Sequence, residues 1–569
     1  MSLLIEVPKR SFLPADLKID SWESISGFYE DLEKRSLDSE SAFHGWLNDL
    51  SELETVVQEH VGWLYVRMTC DTSDEQLTSA YTFFINEINP HIEPVADRLN
   101  KKLAACPFTA SLGVEYGIYL RQVRNAIELF REVNVPLNAE LSVKEQKYGE
   151  IAGAMSVDVN GKELTLQQAS NFLRDPDRSK RESVYRSITS RRLTDRDKLD
   201  GLFNELIALR HQVAINAGFE NYRDYKFREL DRFDYSVSDC ESFHVSVSNE
   251  VVPLLRGISE ARRKAMGLEK LRPWDLEVDT NGRPDLKPFR NGEELASKTI
   301  SCFSEIDPYF GSVVRTLHER KYMDLDSRIG KAPGGYNYPL YESGVPFIFM
   351  NASGSLRDVI TMVHEGGHAI HSMLTRDLPF IGFKEFPSEV AELASMSMEL
   401  ISMEHWQHFF EDAEELKRAR QEQLENVIEA LPWIICIDRF QHWLYTHPMH
   451  TNSDRTDFWL KNLSMFSDGL TDWSGFEATR ESIWQKQLHL FEVPFYYIEY
   501  GMAQLGAIAV WRNYRQNPKM AIESYKRALA LGHTCSISDV YKAAGVSFDF
   551  SSDYIRDLML FVKNEYDKL

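Results

Sequence analysis

Apolar positions recur every three to four residues along most of the chain, and the first 145 residues read as a series of amphipathic helices. Leu77, Tyr81, Phe84, Ile85 and Ile88 follow one such spacing. Thr72 and Glu75 offer a capping box ahead of it, and Pro90 ends or kinks it. The period changes at residues 156–166. Two short alternating runs there flank Asn160 and Gly161, both tolerant of positive φ, which predicts a tight β-hairpin. Thr165 and Gln168 open another helix, Asp175, Pro176 and Asp177 start a further one, and the charged stretch 191–198 leads into a long helix ending near Gly218. The pattern breaks again over 330–355, where Gly334, Gly335, Tyr336, Tyr338, Pro339, Tyr341, Gly344 and Pro346 occur together. Glycines there let a backbone approach a ligand closely, or simply punctuate a loop. Phe347, Ile348, Phe349 and Met350 read as a buried or edge strand, and 356–374 as a proline-free helix with Ile360, Val363 and Ile370 on its apolar face. The pattern predicts a mainly α fold with a small β element. No repeat or low-complexity linker marks a domain boundary.

Composition narrows the function classes. With 43% hydrophobic and 27% charged residues, the 569-residue chain is an ordinary globular one. A formal net charge of −23 and a pI of 5.2 give a surface that repels phosphate backbones and anionic lipid, so neither nucleic acid nor membrane is an expected partner. The uncharged stretch 343–356 is too short to span a bilayer, and Glu6 and Pro8 interrupt the N-terminus before a signal core forms; the expectation is a soluble, cytoplasmic chain. The six cysteines, with no CxxC pair, read as buried thiols rather than a disulfide framework.

The chemistry concentrates at His364-Glu365-Gly366-Gly367-His368, an HExxH match. Chance alone supplies such a match in roughly 4% of chains of this composition, so its placement matters. On a helix, His364 and His368 stand on one face and can reach one zinc ion, with Glu365 beside them to take a proton from water. Glycines at 366 and 367 cost about 1 kcal/mol each in a helix interior, which implies that another helix or substrate packs close there. A third ligand at the histidine of the longer HExxHxxGxxH pattern is missing, because position 371 is His371 and position 374 is leucine. His371 lies about 4.5 Å further along the axis from His368 and reads as a supporting or packing residue. A helix opening near Ser388 offers carboxylates instead: Glu392, Met396 and Glu399 share one face with Glu389 adjacent, and spacing alone does not choose between Glu389 and Glu392.

These motifs, HEGGHAIH at 364–371 and AELASMSME at 391–399, resemble the thimet oligopeptidase and oligoendopeptidase F family of zinc metallopeptidases. The resemblance extends over about residues 200–560 and is closer to the oligoendopeptidase F branch. It implies a two-lobed, zincin-like fold with a deep central cleft, an N-terminal helical lobe over 1–200 and a catalytic region over 201–569. It implies one zinc ion per chain held by His364, His368 and Glu392, Glu365 as general base, and Glu399 orienting a histidine. His489 and the tyrosines after it match the family's strip that polarises the scissile carbonyl, with Tyr496 ranked ahead of Tyr500 and Tyr497. Gly335 and Tyr336 would border the cleft where an extended peptide pairs. The expected partners are short peptides. Three rival readings are a peptidyl carboxypeptidase on the same scaffold, for which no cationic anchor stands out, a silent peptide-binding protein, which would not need Glu365, and a purely helical scaffold in which the HEGGH match is accidental. His442, His447 and His450 form a second histidine group, read as structural because His447-Pro448 breaks the helix.

Overall fold

Where the apolar period changes, the backbone changes with it. The computed structural model describes residues 2–569, with 69% helix and 4% strand, so the chain is mainly α. Strands β1 (Ser156–Val159) and β2 (Lys162–Thr165) pair antiparallel across Asn160 (φ 59°) and Gly161 (φ 80°), the predicted hairpin. Three further strands, β3 (Met323–Asp326), β4 (Tyr336–Tyr338) and β5 (Phe347–Ala352), form a sheet in the order β3-β5-β4. The helices used below are α1 (Glu40–Cys70), α2 (Val237–Glu250), α3 (Gly292–Ile306), α4 (Leu356–Thr375), α5 (Ser388–Met403), α6 (Ala413–Thr446), α7 (Leu488–Glu492), α8 (Ile498–Gln516) and α9 (Ser552–Lys568). Among the described residues no helix is long and apolar enough to cross a membrane. The six cysteines are thiols.

By its contacts the chain folds as two units, each built from three segments. The first comprises Met1–Glu128, Leu286–Arg420 and Ala503–Phe548; the second comprises Leu129–Asp285, Gln421–Met502 and Asp549–Leu569. A single cut at residue 200 falls inside the helix Arg196–Ala217. The N-terminal helices are instead packed with the segment that carries the HExxH motif.

Within the first unit α1 lies against the three-stranded sheet. Val66 packs with Leu340, Phe347 and Phe349, and Trp63 and Tyr338 pack around them. Gly62 permits this approach: a Cβ there would sit 2.6 Å from the Tyr338 ring. β5 is the central strand, parallel to β3 and antiparallel to β4, which accounts for its near-continuous apolar sequence. From β5 the chain turns at Gly354 (φ 93°) and enters α4 through a capping box of Ser355 and Asp358. In the second unit α9 covers α2, with Phe550 stacked on Phe243 at 5.2 Å.

Three local expectations are corrected. The cap near residue 75 is Asp74, whose carboxylate accepts from the N–H groups of Gln76 and Leu77; the Thr72 hydroxyl donates to the Gly330 carbonyl instead. Pro90 does not end the helical run. Phe84–Ile88 widens into a π turn, and the next helix, Asn89–Ala105, takes Pro90 into its first turn, where no N–H is needed. Ser388 is the first helical residue of α5 rather than its cap, a position held by Pro387.

Candidate active site and metal centre

In the first unit, α4 and α5 touch backbone to backbone, and the double glycine is what allows it. A Cβ on Gly367 would lie 2.7 Å from Ser395 Cα and 2.9 Å from the Ala394 carbonyl oxygen, while one on Gly366 would meet the Phe303 ring of α3 at 2.7 Å. The close packing expected at these glycines is therefore with other helices. It sets Glu392 of α5 over the two histidines of α4. His364 Nε2 is 3.3 Å and His368 Nε2 3.8 Å from Glu392 Oε2. These three residues form a cluster whose donor atoms all lie within 4.8 Å of one another; Glu389 and His371 do not belong to it.

Each member is held in place. Glu399 Oε1 lies 2.7 Å from His364 Nδ1, leaving Nε2 turned toward Glu392. The Ser395 hydroxyl donates to Glu392 Oε2 at 2.9 Å. His371, fully buried, stacks face to face on Phe386 at 3.6 Å and makes no hydrogen bond through either ring nitrogen; burial pushes its pKa down to about 3, so it is a neutral packing group. Gly335 lies above Glu365, where a Cβ would come within 3.8 Å of Oε1. The Tyr336 hydroxyl is 2.5 Å from Thr69 Oγ1 and its ring stacks on Phe349 at 4.8 Å, so this side chain is committed to α1 and β5. What β4 offers outward is a main-chain edge with no sheet partner, on which the Asn337 N–H faces the Glu365 carboxylate.

The electrostatics call for a cation. Glu365, Glu392 and Glu399 converge on two imidazoles. Burial lowers the His364 pKa, but the hydrogen bond to Glu399 and the charge of Glu392 outweigh it and carry it up to about 10. Burial and the neighbouring His364 charge hold His368 well below its ordinary value, so it is neutral with a lone pair to offer. Burial, followed by the Glu392 and Glu399 charges, lifts Glu365 to about 7 against the pull of His364. Its Oε2 is buried and makes no hydrogen bond. A tetrahedral ion with ligands at 2.0–2.2 Å needs ligand–ligand edges of ~3.3–3.6 Å, close to the separations present, and two histidines with one glutamate are a zinc donor set that leaves a fourth position open. The residues fit zinc.

The second unit holds a separate cluster. His489 on α7 lies 4.6 Å, ring to ring, from Tyr497 and 6.0 Å from both Tyr496 and Tyr500; Tyr496 and Tyr500 are 5.4 Å apart. Two buried arginines fix the strap that carries them. Arg210 donates to the carbonyls of Leu490 (3.0 Å) and Phe491, and Arg232 to the Phe495 carbonyl and to Glu499 (2.7 Å). Phe495 itself sits at φ 68°, with its N–H donated to Gln441 at 2.6 Å. One relay carries no signal in the sequence pattern. Trp433 Nε1–H donates to Gln487 Oε1 at 2.9 Å, which turns the Gln487 amide N–H toward His489 Nδ1 at 2.7 Å. Nδ1 is then the acceptor and Nε2 carries the proton. Burial lowers the His489 pKa to about 4, so at neutral pH the ring is an uncharged donor through Nε2. The remaining histidines divide: His447 and His450 pack around Trp443, whereas His442 is buried elsewhere.

Comparison with known proteins gives family matches over most of the chain. The model of "Peptidase family M3" matches residues 171–560, and that of "Peptidase M3 N-terminal domain" matches 12–130. An oligoendopeptidase F homolog of Lactococcus lactis subsp. lactis is 29% identical over 153 residues, 27% of this chain and 25% of that one. Oligopeptidase PepF of Bacillus subtilis is 23% identical over 398 residues, 68% of this chain and 57% of that one. The chain thus spans between a quarter and about three fifths of the length of these two relatives. The solved structure of PZ peptidase A with an inhibitor superposes with a TM-score of 0.88 at 24% identity, covering 96% of each chain.

Proposed function

The chain belongs to peptidase family M3, and from that premise we propose that it is a zinc-dependent endopeptidase that hydrolyses short, unstructured peptides. The observation that carries this reading is the convergence of His364 Nε2, His368 Nε2 and Glu392 Oε2 beside the unpartnered, buried Oε2 of Glu365. The names of the relatives, an oligopeptidase and an oligoendopeptidase, support short peptides as the substrate class.

His364, His368 and Glu392 would hold the ion. Bound there, zinc supplies Lewis acidity, polarising a carbonyl and lowering the pKa of water toward ~7. Glu399 keeps the His364 ring oriented through Nδ1, and Ser395 does the same for the Glu392 carboxylate. Glu365 Oε2 takes the proton of the attacking water and returns it to the nitrogen of the departing amine. His489 Nε2–H and the Tyr496 hydroxyl donate to the carbonyl oxygen as it gains negative charge, and such donors are often worth ~3–4 kcal/mol each. Tyr497 and Tyr500 contact substrate. The open edge of β4, beginning beside Gly335 and Tyr336, hydrogen-bonds the main chain of an extended peptide, which favours a substrate with no fold of its own.

The test is digestion of quenched peptides of increasing length, with and without chelator, for the wild type and Glu365→Gln, with products mapped by mass. Internal cleavage of short peptides that chelation abolishes, and that Glu365→Gln lowers by roughly 10²–10⁴-fold with metal retained, is the expected result. Release of C-terminal residues only would replace the endopeptidase by a carboxypeptidase. Full activity in Glu365→Gln would remove the assigned base.

A further inference from the structure

The second unit contains another group of metal-ligating side chains, sharing no residue with the His364 centre. Cys240 and His244 stand four residues apart on α2, and Asp438 and His442 four apart on α6, so each pair occupies one helix face. All four are buried, with exposures of 0% and 4% on α2 and 0% and 6% on α6. His244 Nε2 lies 2.7 Å from Asp438 Oδ2, and His442 Nε2 lies 3.2 Å from the same oxygen. A sulfur, an oxygen and a nitrogen, one each from Cys240, Asp438 and His442, all fall within 4.8 Å of one another. The two imidazoles meet edge to face at 5.3 Å.

The hydrogen bonding of this group is incomplete in a direction that points to a ligand. Asp438 Oδ1 and His442 Nδ1 make no hydrogen bond, although they are buried, and the polar neighbour of His442 Nε2 is the Asp438 carboxylate at 3.2 Å. The Phe227 and Phe495 rings close on His442 at 5.7 and 5.4 Å. Buried polar atoms are normally paired, and a cluster of unpaired ones at a point where thiol, carboxylate and imidazole converge is a preformed coordination sphere.

We propose that Cys240, Asp438 and His442 form a second metal centre that binds a zinc-class divalent cation, with His244 as the positioning residue that donates to Asp438 Oδ2 and orients its carboxylate. The donor chemistry selects the ion. A thiolate with an imidazole and one carboxylate suits zinc and its neighbours, not calcium or magnesium, which take oxygen ligands. Binding releases the Cys240 thiol proton, and the thiolate and carboxylate then match the charge of the ion, so the loaded centre is neutral in a place without solvent. Its role is structural. It ties α2 to α6 one residue from Gln441, the acceptor for the Phe495 N–H, and so braces the strap that carries His489.

The experiment uses the full chain. Metal per chain is measured by mass spectrometry in the wild type, in His364→Ala/His368→Ala, and in the latter with Cys240→Ser added. The expected contents are two, one and none. The metal-free wild type is also reconstituted with cobalt and its absorption recorded. The His364 centre has no sulfur ligand, and among the described residues Cys240 is the one cysteine in a cluster of candidate ligands, so a thiolate-to-cobalt charge-transfer band in the near ultraviolet at one ion per chain is assigned to Cys240. Its presence in the wild type and in His364→Ala/His368→Ala is the expected result, and this reading survives even if Cys240→Ser fails to fold. A wild-type content of one metal or less, or cobalt bound without a thiolate band, would overturn the proposal and leave a metal-free His–Asp–His network.

Discussion

Replacing Gly367 by alanine tests how the centre is built. Two effects of known sign compete. Alanine gains about 1 kcal/mol over glycine in a helix interior. Against that, the new Cβ would stand 2.7 Å from Ser395 Cα and 2.9 Å from the Ala394 carbonyl oxygen, both backbone atoms that no rotamer change can move. To reach the 3.4 Å where ordinary contact begins, α4 and α5 must separate by at least about 0.7 Å. Overpacking of this kind typically costs 1–3 kcal/mol, so the net loss of stability is ~0–2 kcal/mol. The functional loss is larger. Glu392 is three residues from Ser395 and takes its hydroxyl hydrogen bond, so it moves with that backbone, away from His364 Nε2 at 3.3 Å. A misplacement near 1 Å is worth ~10²-fold in rate. The expected outcome is therefore a protein that still folds, with clearly weaker metal affinity and activity down by about two orders of magnitude. Denaturant unfolding of the metal-free protein and chelator-competition titration separate the two quantities. Gly366→Ala is the comparison variant, because its Cβ meets the Phe303 side chain of α3 and not the backbone of α5, so it tests overpacking without displacing Glu392. If Gly367→Ala gained ~1 kcal/mol and kept full metal affinity, the helix approach would not be what places Glu392.

Three further outcomes follow from the same geometry. Glu365, raised to about 7 by burial and its carboxylate neighbours, acts only when deprotonated, and a cation in the centre pulls its pKa down; kcat/KM falls as pH drops through a midpoint at or below 7, and a midpoint above 7 in a pH–rate profile contradicts the assignment. His364, held up to about 10, must shed its proton to become a ligand; metal affinity measured by chelator competition rises with pH through the neutral range, by roughly tenfold per unit where one proton is released, and a flat profile rules this out. Gln487→Glu places a carboxylate against His489 Nδ1 and draws the proton to that nitrogen; the variant gains an alkaline limb in kcat, where the neutral ring no longer donates through Nε2, with losses approaching 10²–10³-fold, whereas an unchanged pH profile would show that the tautomer does not matter.

The parts of the site legible in the sequence are those set by local geometry. His364, Glu365 and His368 are readable because four residues on a helix make one face, and the glycines between them because their cost demands a close neighbour. Glu392 and Glu399 are readable once α5 is recognised as a second helix. What stays hidden depends on distant segments meeting. Trp433 and Gln487 are 54 positions apart, and their order along the relay to His489 exists only after α6 and α7 are packed. Cys240 and His244 are 194 residues or so from Asp438 and His442, and each pair alone is an unremarked (i, i+4) spacing. The histidine cluster suggested by proximity in sequence dissolves: His447 and His450 pack on Trp443, and His442 turns inward to α2. The Asp74 cap was obscured by Thr72, which satisfies an equally good local rule but is engaged by Gly330, far along the chain.

The three-segment construction of each unit bears on how the polypeptide acquires its structure during synthesis. When residue 285 has been made, the first unit has only its opening segment and the second only its own first segment. The first unit is complete only with residue 548, and the second only once 549–569 have emerged to lay α9 over α2. Neither core is complete until its late segments have been made, so the final packing depends on contacts of long sequence separation, which is a slow and aggregation-exposed route. Phe243 stays without its stacking partner until Phe550 arrives, which makes the sealing of that helix a late event in folding.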